Sequence, residues 1–226
     1  MKGVVDGWFC VGPGTVGKGQ AVSVSIEFFF DLSSPWTRLA FHNVRPALAG
    51  LDHTIIWRPF LVGGVFNAVN PAVYESRKPE NAARLKRTFD WLKEWSALAG
   101  VRMNFPSQHH PLKSINAMRM CCALEDDQQA LERFAAAAFE AYFGDQRNLD
   151  DMGECVAVAE SIGLDGAALA ERAITPENKD RLRANTDEAI ARGAFGSPTI
   201  FVAGEHMYFG NDQLPLVRQR VEAGGG

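Results

Sequence analysis

The chain has 226 residues, 46% of them hydrophobic, and a formal net charge of -4 at neutral pH. That content can bury a sizeable core as one domain, or as one domain carrying a large insertion, without disulfides or a metal. Lysine, arginine, aspartate and glutamate are intermixed with no long basic stripe, which argues against a nucleic-acid partner or an acidic membrane surface. No stretch approaches the roughly 18 consecutive apolar residues of a membrane span.

Residues 1–22 are rich in Gly and Val, with Asp6 inside the only apolar stretch. They lack an apolar region followed by a small-residue cleavage site, so a loose N-terminal extension is predicted and not a signal peptide. The four cysteines, Cys10, Cys121, Cys122 and Cys155, have no zinc-ligand spacing. They read as free thiols in a reducing compartment, which predicts a cytoplasmic protein. Cys121 and Cys122 fall inside a helical pattern, where free Cys packs as a small buried residue.

Val24–Phe30 is an apolar, β-branched run closed by Asp31-Leu32-Ser33-Ser34-Pro35 and predicts a buried strand. A helix follows, with Ser34 as N-cap, Pro35 at the first helical position and Gly50 at its close. His53–Pro59 is a second strand, so the opening favours a parallel pair with a helical crossover. From Leu61 to Arg77 the pattern reads as a Gly-, Asn- and Pro-containing loop.

Between Lys78 and Arg192 nearly everything reads helical: 82–99, 114–125, 129–143, 152–162, a short turn near 167–173, and 177–192. Gly144, Gly163 and Gly193 fit helix ends. The chain then returns to β: Thr199–Ala203 and His206–Phe209 flank Gly204-Glu205 as a hairpin. A last helix spans Asn211–Val221, capped by Asn211 or Asp212, and Gly224–Gly226 is predicted to be disordered. The fold class is therefore α/β, a βαβ…ββα sheet with a large all-α insertion. Its predicted division is an extension at 1–22, a sheet domain from 23–77 and 193–223, and a helical domain at 78–192.

Three places could carry chemistry. Ser34-Pro35 sits at a strand-to-helix turn, where unpaired N–H groups and the helix dipole favour a negative charge. A serine with no local base is a poor nucleophile, yet it can donate a hydrogen bond to a thiolate supplied from outside; simple capping is the alternative. Gly196-Ser197-Pro198-Thr199 enters a strand through an X-Pro bond; if cis, it leaves the Ser197 backbone free to pair with an extended ligand, and otherwise it is a plain turn. Gly210-Asn211-Asp212 opens the final helix, where N–H groups can receive a carboxylate and Asp212 can hold an ammonium, with N-capping as the alternative. His109-His110 lacks partners at metal-ligand spacing, so no metal site is expected. Phe89, Trp91 and Trp95 have near-helical spacing and read as core or dimer contacts.

The segments FFFDLSSPWTRLA (28–40), WRPFLVGGVFNAVN (57–70) and ARGAFGSPTIFVAGEHMYFGNDQL (191–214), in this order around a helical insertion, resemble the family of 2-hydroxychromene-2-carboxylate isomerases and kappa-class glutathione transferases. That family belongs to the DsbA-like branch of the thioredoxin fold, and the resemblance covers residues 23–221. It implies that Ser34 hydrogen-bonds the glutathione sulfur in the place of a redox cysteine. It also implies that Ser197 and a cis Pro198 clamp the cysteinyl moiety, that Asn211 and Asp212 bind the γ-glutamyl end, and that Asn70 and Lys78 approach the tripeptide or the substrate. Trp36, Phe60 and Asn67 fall at the substrate pocket. The sequence departs from the family pattern at Asn67, where a lysine is frequent, at Trp36, where Phe or Tyr is frequent, and at Gln213, where an arginine is frequent.

The resemblance thus implies a glutathione-dependent cis-trans isomerase of aromatic-compound catabolism, with an aromatic-derived acid as substrate and a homodimer as assembly. A kappa-like transferase and a non-catalytic thioredoxin-fold binding protein are the alternatives.

Overall fold

Alternation within Val24–Phe30 (β1) decides where the core lies. Val24, Ile26, Phe28 and Phe30 enter the larger of two buried clusters, whereas Phe29 enters the smaller, with Phe60, Val65 and Phe201. A strand covered on both faces must be apolar nearly throughout, as this one is. The computed structural model describes residues 23–76 and 78–226; the predicted extension and Cys10 lie outside the described residues.

From β1 the chain enters α1 (Pro35–Ala47) and returns as β2 (His53–Pro59), parallel to β1 with Phe28 opposite Trp57. β3 (Thr199–Val202) pairs antiparallel on the other side of β1, and β4 (His206–Phe209) pairs antiparallel with β3. The sheet order is β2-β1-β3-β4. The expected strand-helix-strand, helical excursion and hairpin-helix order holds.

The segment 61–77, expected as a loop, contains two helices, α2 (Val62–Val69) and α3 (Ala72–Glu75). The first begins because its N-terminus is capped from afar: the Asp31 carboxylate accepts from the Val62 N–H at 2.8 Å, and Thr186 Oγ1 accepts from the Leu61 N–H at 3.0 Å. No residue within the segment reveals these partners.

After a 3₁₀ turn at Pro79–Asn81 come α4 (Ala82–Ala99), α5 (Ile115–Ala123), α6 (Gln128–Phe139), α7 (Met152–Ser161), α8 (Gly166–Ala173) and α9 (Pro176–Ala191). The helix expected to run to Phe143 instead ends at Phe139 and passes into a π-helical turn, Glu140–Gly144. Glu140 there receives the guanidinium groups of Arg38 and Arg102. The turn expected near 167–173 is a true helix, because Asp165 caps it by accepting from the Ala168 N–H at 2.9 Å.

An aromatic chain joins the helical excursion to the sheet. Ring centroids of Phe28 and Trp57 are 5.1 Å apart, those of Trp57 and Phe41 4.3 Å, and those of Phe41 and Phe139 5.3 Å. The chain runs from β1 through β2 and α1 to α6, so one continuous apolar cluster serves both the sheet and the insertion. On the opposite sheet face Glu27 pairs with Arg58 and Arg192, and both guanidinium groups also reach Glu188.

At the C-terminus, Asn211–Gln213 forms a 3₁₀ turn ahead of α10 (Leu214–Glu222), and neither Asn211 nor Asp212 caps the helix. Asn211 Oδ1 instead accepts from Asn43 Nδ2 of α1 at 2.8 Å. The glycine tail, expected to be disordered, is held: the Gly225 N–H donates to the Arg220 carbonyl at 2.9 Å, and Gly225 is buried near Val24 and Ala203.

Candidate active site

The end of β1, the start of α1 and the entry to β3 converge on a small hydroxyl cluster. Ser34 is the N-cap of α1: its Oγ accepts from the Thr37 N–H at 3.2 Å, as the local Ser-Pro signal requires. The same oxygen donates to the Ser197 carbonyl at 3.1 Å. Ser197 Oγ lies 2.7 Å from Thr37 Oγ1 and accepts from the Asp31 N–H at 3.0 Å. The Ser197-Pro198 peptide is cis. The Ser197 carbonyl, expected to be free for a ligand, already receives one protein donor and retains one lone pair.

Asp31 lies beneath the cluster and is 1% exposed. Its Oδ1 accepts from the Ser33 N–H and its Oδ2 from the Val62 N–H, both at 2.8 Å. Burial raises its pKa above the usual carboxylate range, against the lowering effect of these bonds and of the Ser114 and Ser33 hydroxyls. One buried carboxylate thereby joins the Ser34 turn, α2 and the end of the 101–114 segment.

Above the cluster opens a cavity of about 300 Å³. Ser33, Ser34, Gly196 and Ser197 form its polar end. Val62 and Phe66 of α2 and Leu85, Phe89 and Leu92 of α4 form its apolar wall, with Trp36, Phe105 and Phe209 closing the remainder. A mouth of this size with one polar end suits a small ligand with a reactive head and an apolar body.

The structure brings some of the sequence-predicted residues together here and not others. Ser34, Trp36, Asn70 and Ser197 line the cavity, and Asn70 Nδ2 donates to the Phe195 carbonyl at 2.9 Å. Pro198 follows within the cis peptide, and its carbonyl accepts from the Gly210 N–H at 3.3 Å. Asn211 and Asp212 follow Phe209 off the cavity wall, Asn211 buried and Asp212 exposed. Lys78 is exposed, paired with Glu75, and off the wall. Asn67 also lies off the wall and accepts from the Tyr74 hydroxyl at 2.8 Å. Phe60 is fully buried on the far sheet face, its ring centroid 5.9 Å from that of Phe29.

Sequence reasoning missed Asp31, Thr37, Phe89 and His110. Phe89 was expected as core or dimer contact and His110 was given no site role, yet both line the cavity; Trp91 and Trp95 point outward, 56% and 38% exposed. The signal for Phe89 was its spacing with Leu85 and Leu92 on one helix face. His110 arrives from an irregular segment that carries no periodicity.

The three described cysteines, Cys121, Cys122 and Cys155, are buried away from the cavity. Burial pushes the Cys121 thiol well up and the Cys155 thiol up to about 12. Ser34-Pro35-Trp36-Thr37 occupies the helix start where a dithiol motif would need its two cysteines, so among the described residues this site offers no thiol of its own.

The family model of the DSBA-like thioredoxin domain matches residues 25–222. The chain belongs to the DSBA-like thioredoxin family. Within that family, it is similar to 2-hydroxychromene-2-carboxylate isomerase from Sphingobium xenophagum, 28% identical over 193 residues that cover 85% of this chain and 95% of the relative. It is also similar to human glutathione S-transferase kappa 1, 24% identical over 206 residues that cover 85% and 88% of the two chains. Among solved structures, a 2-hydroxychromene-2-carboxylate isomerase matches with a TM-score of 0.75 at 22% identity, covering 88% of this chain and 95% of that one. This DSBA-like fold therefore carries a serine at its helix start and has relatives named as isomerases and as transferases.

Proposed function

We propose that the chain is a glutathione-dependent isomerase of the 2-hydroxychromene-2-carboxylate isomerase type, acting in aromatic-compound catabolism as a cytoplasmic homodimer. The observation that carries this reading is the placement of the Ser34 hydroxyl at the N-terminus of α1, 3.1 Å from the Ser197 carbonyl and at the polar end of an apolar cavity. When bound, glutathione supplies a thiol whose reversible addition across a conjugated double bond permits rotation about it.

The residues present suit that group. The α1 N-terminus favours an anion, and Ser34 can turn its one proton from the Ser197 carbonyl toward a sulfur. The Ser197 backbone offers strand-like pairing to a peptide. Asn70 stands at the cavity rim, and Asn211 and Asp212 lie beyond Phe209 for the charged γ-glutamyl end. Thr37 and Asp31 hold Ser197 in place through its hydroxyl. The apolar wall excludes water, which strengthens the hydrogen bond to a thiolate.

The test is a glutathione-stimulated interconversion of hydroxychromene-carboxylate and benzylidenepyruvate acids by the purified chain. Catalytic glutathione with no net consumption supports isomerisation. The similarity to the human kappa transferase favours a second reading, conjugation to electrophiles, which stoichiometric accumulation of a glutathione adduct would establish in its place. Light scattering of the purified chain decides the homodimer.

A further inference from the structure

A second cavity, of about 350 Å³, adjoins the one beside Ser34 and shares Ser33, Val62, Phe66 and His110 with it. The rest of its wall comes chiefly from two stretches, 61–64 at the start of α2 and 111–115 at the start of α5. Lys113 brings a cation to this wall. The residue is exposed, and among the described residues its ammonium takes no carboxylate, in contrast to Lys78, which pairs with Glu75. Its backbone is nevertheless fixed. The Lys113 N–H donates to Asp150 Oδ1 at 2.8 Å, and the next residue, Ser114, is buried with its hydroxyl against Asp31. The charge is thus carried on an anchored stem at the edge of a cavity, where a ligand that enters can reach it.

Asp31, which also lines this cavity, sets what kind of ligand needs that charge. Its two oxygens accept backbone N–H groups, from Ser33 and Val62, each at 2.8 Å. An anion entering beside it leaves water and faces a carboxyl group, a cost that a cation within hydrogen-bond reach offsets. A neutral group has no such need of Lys113.

We infer that Lys113 is the specificity-determining residue that receives the carboxylate of an aromatic 2-oxo acid in this adjoining cavity, while the aromatic ring occupies the cavity beside Ser34. The inference rests on the proposed function for its substrate class. In an extended benzylidenepyruvate the ring and the carboxylate stand at opposite ends of the conjugated double bond. The ring packs among Leu85, Phe89 and Leu92, the double bond lies toward Ser34, and the acid end passes the shared wall at Ser33 and His110 to reach Lys113.

Equilibrium dialysis of the full chain tests this with two probes, benzylidenepyruvate and its neutral counterpart benzylideneacetone. Both are measured near neutral pH with S-methylglutathione present, which has no thiol to add to them. Lys113→Gln is expected to weaken binding of the acid at least about 5-fold, Lys113→Arg to keep it within about 2-fold, and neither to move the neutral ketone by more than about 2-fold. A smaller loss for the acid overturns the inference, as does an equal loss for both probes, because Lys113 would then only shape the cavity. Acid that fails to bind the wild type overturns it too, as does a loss seen in Arg77→Gln and not in Lys113→Gln. Glutathione affinity, read separately by calorimetry, reports on the proposed function independently. A chain that ignores glutathione but holds the acid through Lys113 loses that function and keeps this assignment; a chain that isomerises the acid with glutathione equally well as Lys113→Gln keeps the function and loses the assignment.

Discussion

Ser34 caps α1 and, under the proposed function, also donates to a thiolate, and substitutions can separate the two tasks. As a cap it contributes about 1 kcal/mol, a loss expected of Ser34→Ala, whereas glycine at an N-cap costs only a few tenths. As a donor to a thiolate it should be irreplaceable by either. Ser34→Ala and Ser34→Gly are therefore predicted to lower glutathione-dependent turnover alike, by roughly 10²-fold or more, while thermal denaturation shows a clear loss of stability in the alanine variant alone. Turnover that tracks stability across the pair would return Ser34 to a purely structural role. Beneath it, Asp31 is held by two backbone N–H groups yet has its pKa raised by burial. A carboxyl whose pKa is higher in the folded than in the unfolded chain favours folding most when protonated. Its contribution is full below the unfolded value and declines as pH rises through the folded one. The stability of the wild type relative to Asp31→Asn should accordingly shrink as pH rises from below the ordinary carboxylate value, as followed by urea denaturation; a difference that grows with pH contradicts the assigned direction.

Helix α2 shows where local sequence stops being informative. Its segment VGGVFNAV carries two glycines, each worth up to about 1 kcal/mol against helix relative to alanine, and reads as a loop. The structure supplies what the sequence withholds: a cap from Asp31 and a docking surface on α9. An added Cβ at Gly64 would stand 3.0 Å from Thr186 Cγ2, and that threonine cannot readily turn because its hydroxyl both accepts from Leu61 and donates to the Leu182 carbonyl. Gly63 meets nothing within 4 Å. Gly63→Ala should raise stability by up to about 1 kcal/mol, an increase of a few degrees in Tm for a chain of this size. Gly64→Ala should gain less or lose stability. The reverse order would mean that α2 is not packed on α9 as described. By contrast the start of α1 was legible, since its cap, its Pro35 and its apolar face all lie within the segment itself, although the helix ends at Ala47, ahead of the expected close at Gly50.

Across the whole molecule, the frame was readable because strand and helix periodicities alternate cleanly on either side of the insertion, and three motifs recur in one order. The serine, the X-Pro turn and Asn70 were assigned to one site through the family resemblance, and Ser34, Ser197 and Asn70 do line one cavity. Phe60 and Asn67 belong to the same motif stretch as Asn70, and Lys78 follows it, but β2's pleat sends Phe60 to the far face, and the helices after it carry Asn67 and Lys78 outward. Phe89 and His110 come from the insertion, whose packing against the sheet is set by the Phe28, Trp57, Phe41 and Phe139 rings and by no local pattern. Under the proposed function this fold borrows its sulfur and ionises it at Ser34. Thiolate absorbance near 240 nm during titration of the full chain with reduced glutathione tests this directly at a pH where free glutathione is protonated. Saturable 1:1 binding with growth of the thiolate band is expected, and a Ser34→Ala variant that still binds but lacks the band. Binding without thiolate in the wild type, or no binding at all, contradicts it.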